Sequence, residues 1–168
     1  MNSAELLADA FSRIRDGVHA AVDGLTAEDL AARLDGEANS IAWLVWHLTR
    51  IQDDHVAGVA GVDQVWTASG WVQRFALPFD PKDHGYGHSS ADVAAVVVDA
   101  PLLHGYHDAV YDATTRFLST LADEDLDRVV DKGWDPPVTM GVRLVSVITD
   151  DLMHTGQANF VRGILERR

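Results

Sequence analysis

The sequence predicts an all-α fold, a four-helix bundle with long crossover connections. Three observations carry that expectation. Apolar residues recur at three- and four-residue spacing through four long segments. Capping and breaking residues stand at the ends of those segments. The only strand-like runs, Val96–Val98 and Val129–Val130, are too short for a sheet. At 168 residues the chain has the length of one ordinary domain, and no linker, repeat or low-complexity tract divides 1–168.

The first helix is expected from about Ser3 to Val22, with Leu6, Leu7, Ala10, Phe11, Ile14 and Val18 on its apolar face. Gly24 ends it, and Thr26-Ala27-Glu28-Asp29 opens a short helical turn through Leu34. Asn39-Ser40 caps a second long helix, about Ile41 to Val59, closed by Gly61. A shorter helical piece follows around Val62 to Phe75. The loop from Pro78 to His88 holds two prolines and two glycines and excludes regular structure. Ser89 or Ser90 caps a short stretch leading into Val96–Val98. A third long helix is expected over Pro101–Leu121, where Pro101 suits a first-turn position because its missing N–H would be unpaired anyway. Asp131 to Pro137 forms a second irregular crossing, and Thr139 caps a fourth long helix reaching Leu165. Val145, Ile148 and Leu152 make one apolar stripe on this helix, and Val147, Ala158, Val161 and Leu165 another. A helix apolar on most sides is expected to be central and buried.

Composition narrows the function classes. Hydrophobic residues are 47% and charged residues 23%, an ordinary globular mix. Thirteen Lys and Arg against 26 Asp and Glu give a net charge of −13, which disfavours nucleic acid and anionic membrane as partners. The absence of cysteine removes disulfides, thiolate ligands and a cysteine nucleophile together. With no apolar run of spanning length and no basic n-region at the start, a cytoplasmic protein acting on a small molecule is expected. The eight histidines are the compositional oddity.

Asp150, His154 and Gln157 lie at i, i+4 and i+7 on the fourth helix, so they share one line of it. A carboxylate on a helix with apolar flanks must face a partner, a cavity or a cation. On the second helix, His47 sits at the edge of the apolar face and His55 two turns further on. Either histidine can complete a site with Asp150 and His154, and each can equally be a core histidine donating to a backbone carbonyl. Asp53 and Asp54 can orient a ligand histidine, or be solvated, or pair with Arg50. His84, Tyr86 and His88 occupy the glycine-rich loop, which either covers the site and supplies a proton carrier or is a solvated turn. His107 either approaches the cavity or packs, and His19 and His104 are expected to be structural or surface residues.

The pattern Ser40-Ile41-Ala42-Trp43-Leu44-Val45-Trp46-His47-Leu48 resembles the DinB/YfiT-like superfamily. So does Val138-Thr139-Met140-Gly141 leading to Asp150-x-x-x-His154-x-Gly156-Gln157. The resemblance runs over essentially the whole chain and implies a four-helix bundle with a long crossover. In ligand pattern it is closest to the mycothiol-dependent maleylpyruvate isomerases, where an acidic residue replaces the first histidine of the fourth-helix pair. The resemblance implies that His47, Asp150 and His154 hold one divalent ion, zinc or nickel. Asp150 is one methylene shorter than the Glu of those isomerases, so Asp151 stands beside it as the other candidate acidic ligand. Tyr86 and His88 are then candidate catalytic helpers, and Gln157, His55 and Trp43 candidate cofactor contacts.

Three protein ligands leave an open metal position, the mark of a catalytic site. Such an ion can acidify a thiol and polarise a nearby electrophile. The expected function is therefore a metal-dependent transferase or isomerase using a low-molecular-weight thiol such as mycothiol. The alternative is a non-enzymatic binding or stress-associated bundle with a degenerate metal site. A di-iron bundle is disfavoured, because Asp16-x-x-His19 and Asp151-x-x-His154 offer short carboxylates and no bridging glutamates. Trp66, Trp71, Phe75 and Phe79 cluster between the second and third helices, and are expected to roof the cavity or to line a homodimer contact.

Overall fold

A computed structural model describes residues 1–167. Four long helices make the bundle: α1 (Ser3–Val22), α3 (Ile41–Ala60), α7 (Ala100–Leu118) and α8 (Met140–Leu165). The short helices α2 (Ala27–Ala31), α4 (Val65–Ala68), α5 (Trp71–Phe75) and α6 (Ser90–Ala95) lie in the crossings. Each long helix packs on two neighbours. α1 and α3 both touch α7 and α8, so α1 stands opposite α3 and α7 opposite α8.

The expected caps are in place. Thr26, Ser40 and Thr139 each accept a hydrogen bond from a backbone N–H in the first turn of their helix. Ser89, not Ser90, caps α6 through a capping box with Asp92. Gly61 ends α3 with φ 71°, a left-handed conformation that costs glycine nothing. Two boundaries move. α7 stops at Leu118 rather than Leu121, and Gly70 (φ 73°) splits the expected Val62–Phe75 piece into α4 and α5.

Two expectations are corrected. Val129–Val130 does join a sheet, because β1 (Val129–Asp131) pairs antiparallel with β2 (Val138–Thr139) across the turn that feeds α8. And α8 is not buried all round. Met140, Leu144, Val147, Asp151, Thr155, Ala158 and Val161 face the core. Val142, Val145, Leu152, Met153 and Phe160 are exposed, so the stripe through Val145 and Leu152 looks largely outward, with Ile148 alone packed half-buried against the core. Helical periodicity records how apolar a face is, whereas burial depends on whether a neighbour covers it.

The aromatic cluster is not an exposed surface. Trp66, Trp71 and Phe75 are buried around Tyr106 of α7, with ring centroids 5.0, 5.6 and 5.7 Å from its ring. Phe79 packs on Trp46 and His88. These rings close the bundle over α3 and α7, with Phe79 half-buried beside them. Among the described residues no helix is long and apolar enough to cross a membrane.

Candidate metal centre

α3 and α8 run antiparallel, and one face of each lines a shared seam. On α8 that face carries Arg143, Asp150, His154 and Gln157; on α3 it carries His47, Asp54, His55 and Gly58. His47, Asp150 and His154 converge, one ligand atom from each lying within 4.8 Å of the others. The two imidazole centroids are 4.9 Å apart, and His154 Nε2 is 3.7 Å from Asp150 Oδ1.

Each histidine has one nitrogen already engaged. His47 Nδ1 is held by the backbone carbonyl of His84. His154 Nδ1 lies 2.8 Å from Gln157 Oε1. In both rings the acceptor fixes the proton on Nδ1 and leaves the Nε2 lone pair for a ligand, the usual support for a metal-binding imidazole. Burial, opposed by the His84 carbonyl, pushes His47 below the ordinary histidine range, which keeps it in the neutral form a metal requires. Asp150 Oδ2 is shielded from solvent and has no hydrogen-bond partner among the described residues. Two imidazoles with Nε2 free and an unsatisfied carboxylate oxygen are a donor set for a divalent transition ion.

Asp151, the other acidic candidate, faces away from this cluster. It is fully buried in the bundle with neither oxygen partnered, and burial, then the Asp150 charge, holds its carboxyl well above the usual carboxylate range. One residue along a helix is a rotation of about 100°. That rotation separates the two aspartates, and only Asp150 meets the histidines.

The Pro78–His88 loop covers the centre. Gly85 lies against it at φ 95°, where an added Cβ would stand 2.7 Å from His47 Nδ1 and 3.1 Å from both Trp43 and Trp46. Only glycine lets the backbone come close enough for the His84 carbonyl to reach His47. Trp43 stacks on His47 with centroids 4.7 Å apart, and its Nε1 donates to His88 Nδ1 at 3.2 Å. His88 in turn stacks on Trp46. Its Nδ1 thereby serves as acceptor, which puts the ring proton on Nε2. Tyr86 is 86% exposed and stands outside the cluster.

The loop is pinned by a residue the sequence reading did not single out for the site. Arg50 of α3 is fully buried. It donates to the carbonyls of Asp83 (3.1 Å) and Pro81 (3.5 Å), to Gln64 Oε1 (2.8 Å) and to Tyr106 Oη (3.3 Å). Asp53 lies 3.7 Å from it. The carboxylate of Asp53 accepts from the N–H groups of Val65 and Trp66 and from Tyr106, so it anchors the start of α4 and does not orient a ligand histidine. A charged residue in an apolar run was the available signal, since a fully buried arginine must find several acceptors.

The remaining histidines divide. His55 lies beside the centre on a polar cavity of about 450 Å³, lined also by Asp54, Arg128, Asp131 and Arg143. His107 packs in the core, with Nδ1 3.1 Å from Thr49 Oγ1, and burial lowers its pKa to about 3. His19 and His104 meet each other between α1 and α7.

Fold and site together define a four-helix bundle with a histidine–carboxylate cluster on one interhelical seam, covered by a glycine-rich loop. A family model described as mycothiol-S-transferase matches residues 6–167, and the chain belongs to that family, within the DinB/YfiT-like superfamily. The family's activity is thiol-dependent transfer. Among solved structures, the chain is similar to a conserved protein from Enterococcus faecalis, at 30% identity and TM-score 0.93, covering 100% of this chain and 99% of that one. A comparison with curated proteins gives no match.

Proposed function

We propose that this chain is a metal-dependent thiol transferase in which His47, Asp150 and His154 hold one zinc or nickel ion, and mycothiol or a similar small thiol is the cosubstrate. The observation that carries the reading is the convergence of the three side chains with the second nitrogen of each imidazole already committed. A bound ion would acidify a thiol and polarise an electrophile beside it. The chain has no cysteine of its own, so the thiol must enter from solution.

The protein residues set up that chemistry. The His84 carbonyl and Gln157 fix the tautomers of His47 and His154. Trp43 and Gly85 close one side and exclude water from the His47 ring. His88, whose Nδ1 accepts from Trp43, presents its Nε2–H as the loop's hydrogen-bond donor. The cavity beside His55, with Arg128 and Arg143 on its wall, receives the polar body of the thiol or its partner.

The test compares wild type with His154→Ala, prepared metal-free without a histidine tag. Bound zinc and nickel are measured first, then metal-dependent consumption of a thiol with a model electrophile. His154→Ala is expected to lower affinity at this centre by at least 100-fold and to abolish turnover. Asp150→Glu, which restores reach, is expected to retain binding. Wild type that binds metal here but consumes no thiol sinks the reaction. Wild type whose metal binding is unaffected by His154→Ala sinks the centre and leaves a non-enzymatic binding protein.

A further inference from the structure

His19 lies in the last turn of α1 and Asp23 is the residue that ends that helix, while α7 carries His104 and Asp108 four residues apart on one face. The two helices pack antiparallel, so the pairs meet crosswise. His19 Nε2 lies 2.9 Å from Asp108 Oδ1, and His104 Nε2 lies 2.9 Å from Asp23 Oδ1. The imidazoles touch edge to face, with centroids 4.3 Å apart. One ligand atom each from His19, Asp23 and His104 falls within 4.8 Å of the others.

We propose that His19, Asp23 and His104 form a second divalent-cation site, of the zinc class, that clamps α1 to α7. Its donor set repeats that of the α3–α8 seam, two imidazoles and one carboxylate, but on the opposite pair of helix neighbours.

Two features support a cation over a simple polar contact. Both ring nitrogens of His104 are shielded from solvent, and neither makes a hydrogen bond of acceptable direction, although Asp23 is close. A buried imidazole left so costs free energy that a ligated cation would recover. Asp108 is occupied by Arg15, whose Nε donates to it at 2.6 Å. It therefore serves to orient the His19 ring and is not counted as a ligand. The side chain of Asp23 is 69% exposed, so the fourth position of a tetrahedral ion opens to water. This site shares no residue with the α3–α8 centre and does not depend on it.

The experiment uses full-length, tag-free, metal-free protein and zinc alone as probe, with cobalt for its absorption spectrum. Equilibrium dialysis of wild type is expected to give two zinc equivalents. His154→Ala, which removes the first centre, is expected to keep one. Adding His104→Gln to His154→Ala is expected to remove it, with at least a 100-fold loss of affinity. Adding Asp23→Asn, at an exposed side chain with little folding risk, is expected to cost tenfold or more. Asp108→Asn is expected to cost about tenfold by freeing the His19 ring. Zinc should raise the Tm of His154→Ala, and raise that of His154→Ala/Asp23→Asn less at the same zinc concentration. His154→Ala that binds no zinc overturns the proposal. So does an equivalent that survives both His104→Gln and Asp23→Asn. Zinc bound only through His104 and the α3–α8 residues is excluded by comparing His104→Gln alone with wild type: it must lose one equivalent and keep the other.

Discussion

Replacing Arg50 with Met tests the link between the core and the loop over the metal centre. Methionine keeps the aliphatic bulk and removes the guanidinium. Arg50 is fully buried, 3.7 Å from Asp53, and stands over the Trp66 ring at 5.0 Å. Its loss leaves the Gln64 side-chain oxygen and the Asp83 and Pro81 carbonyls without their donor. Breaking a buried charge pair by removing one partner costs about 3–5 kcal/mol. Asp53 keeps three neutral donors, from Val65, Trp66 and Tyr106, which moves the expected loss to the lower end, about 3 kcal/mol. Urea unfolding should show this as a lower midpoint with an unchanged slope. The local effect should be larger than the global one. Amide exchange at His88, whose N–H donates to Gly85 at 3.2 Å, should accelerate more than exchange in the middle of α1. Metal affinity at the α3–α8 centre should fall by about 10–100-fold as the His84 carbonyl loosens from His47. A stability loss under about 1 kcal/mol with unchanged exchange at His88 would falsify the reasoning.

Gly85→Ala should cost about 1–3 kcal/mol and weaken metal binding, since φ is 95° and the new Cβ meets His47, Trp43 and Trp46; equal urea midpoints for variant and wild type would contradict this. His107 gives a pH dependence. Its pKa is about 3 when folded against an ordinary 6.5, so the unfolded chain binds the extra proton. The stability is fully present above pH 6.5 and is lost as pH falls toward 3, reaching roughly 2 kcal/mol by pH 5. The stability advantage of wild type over His107→Asn should shrink by about that amount between pH 7.5 and 5; parallel pH profiles would rule His107 out as the titrating group.

The sequence by itself determined the four long helices and the capped ends of α3 and α8. Ser40, Thr139 and Gly61 act within one turn of their own chain, so their roles are legible without any neighbour. It also set Asp150 and His154 on one face of α8, because spacing along a helix fixes which residues share a face, while His47 entered as their partner only through the family resemblance. Only the tertiary structure decided which face of each helix is covered. The stripe through Val145 and Leu152 is as apolar as the one through Val147, yet Val145 and Leu152 are exposed while Val147 is buried. The choice of Asp150 over Asp151 is a rotation of α8 about its axis, set by what α1 and α3 offer it. Arg50, Gly85 and the His19–His104 contact act across long sequence separations, between segments whose approach no local pattern encodes. Periodicity is a property of one segment, whereas burial, ligand convergence and loop closure belong to pairs of segments, and only packing fixes those.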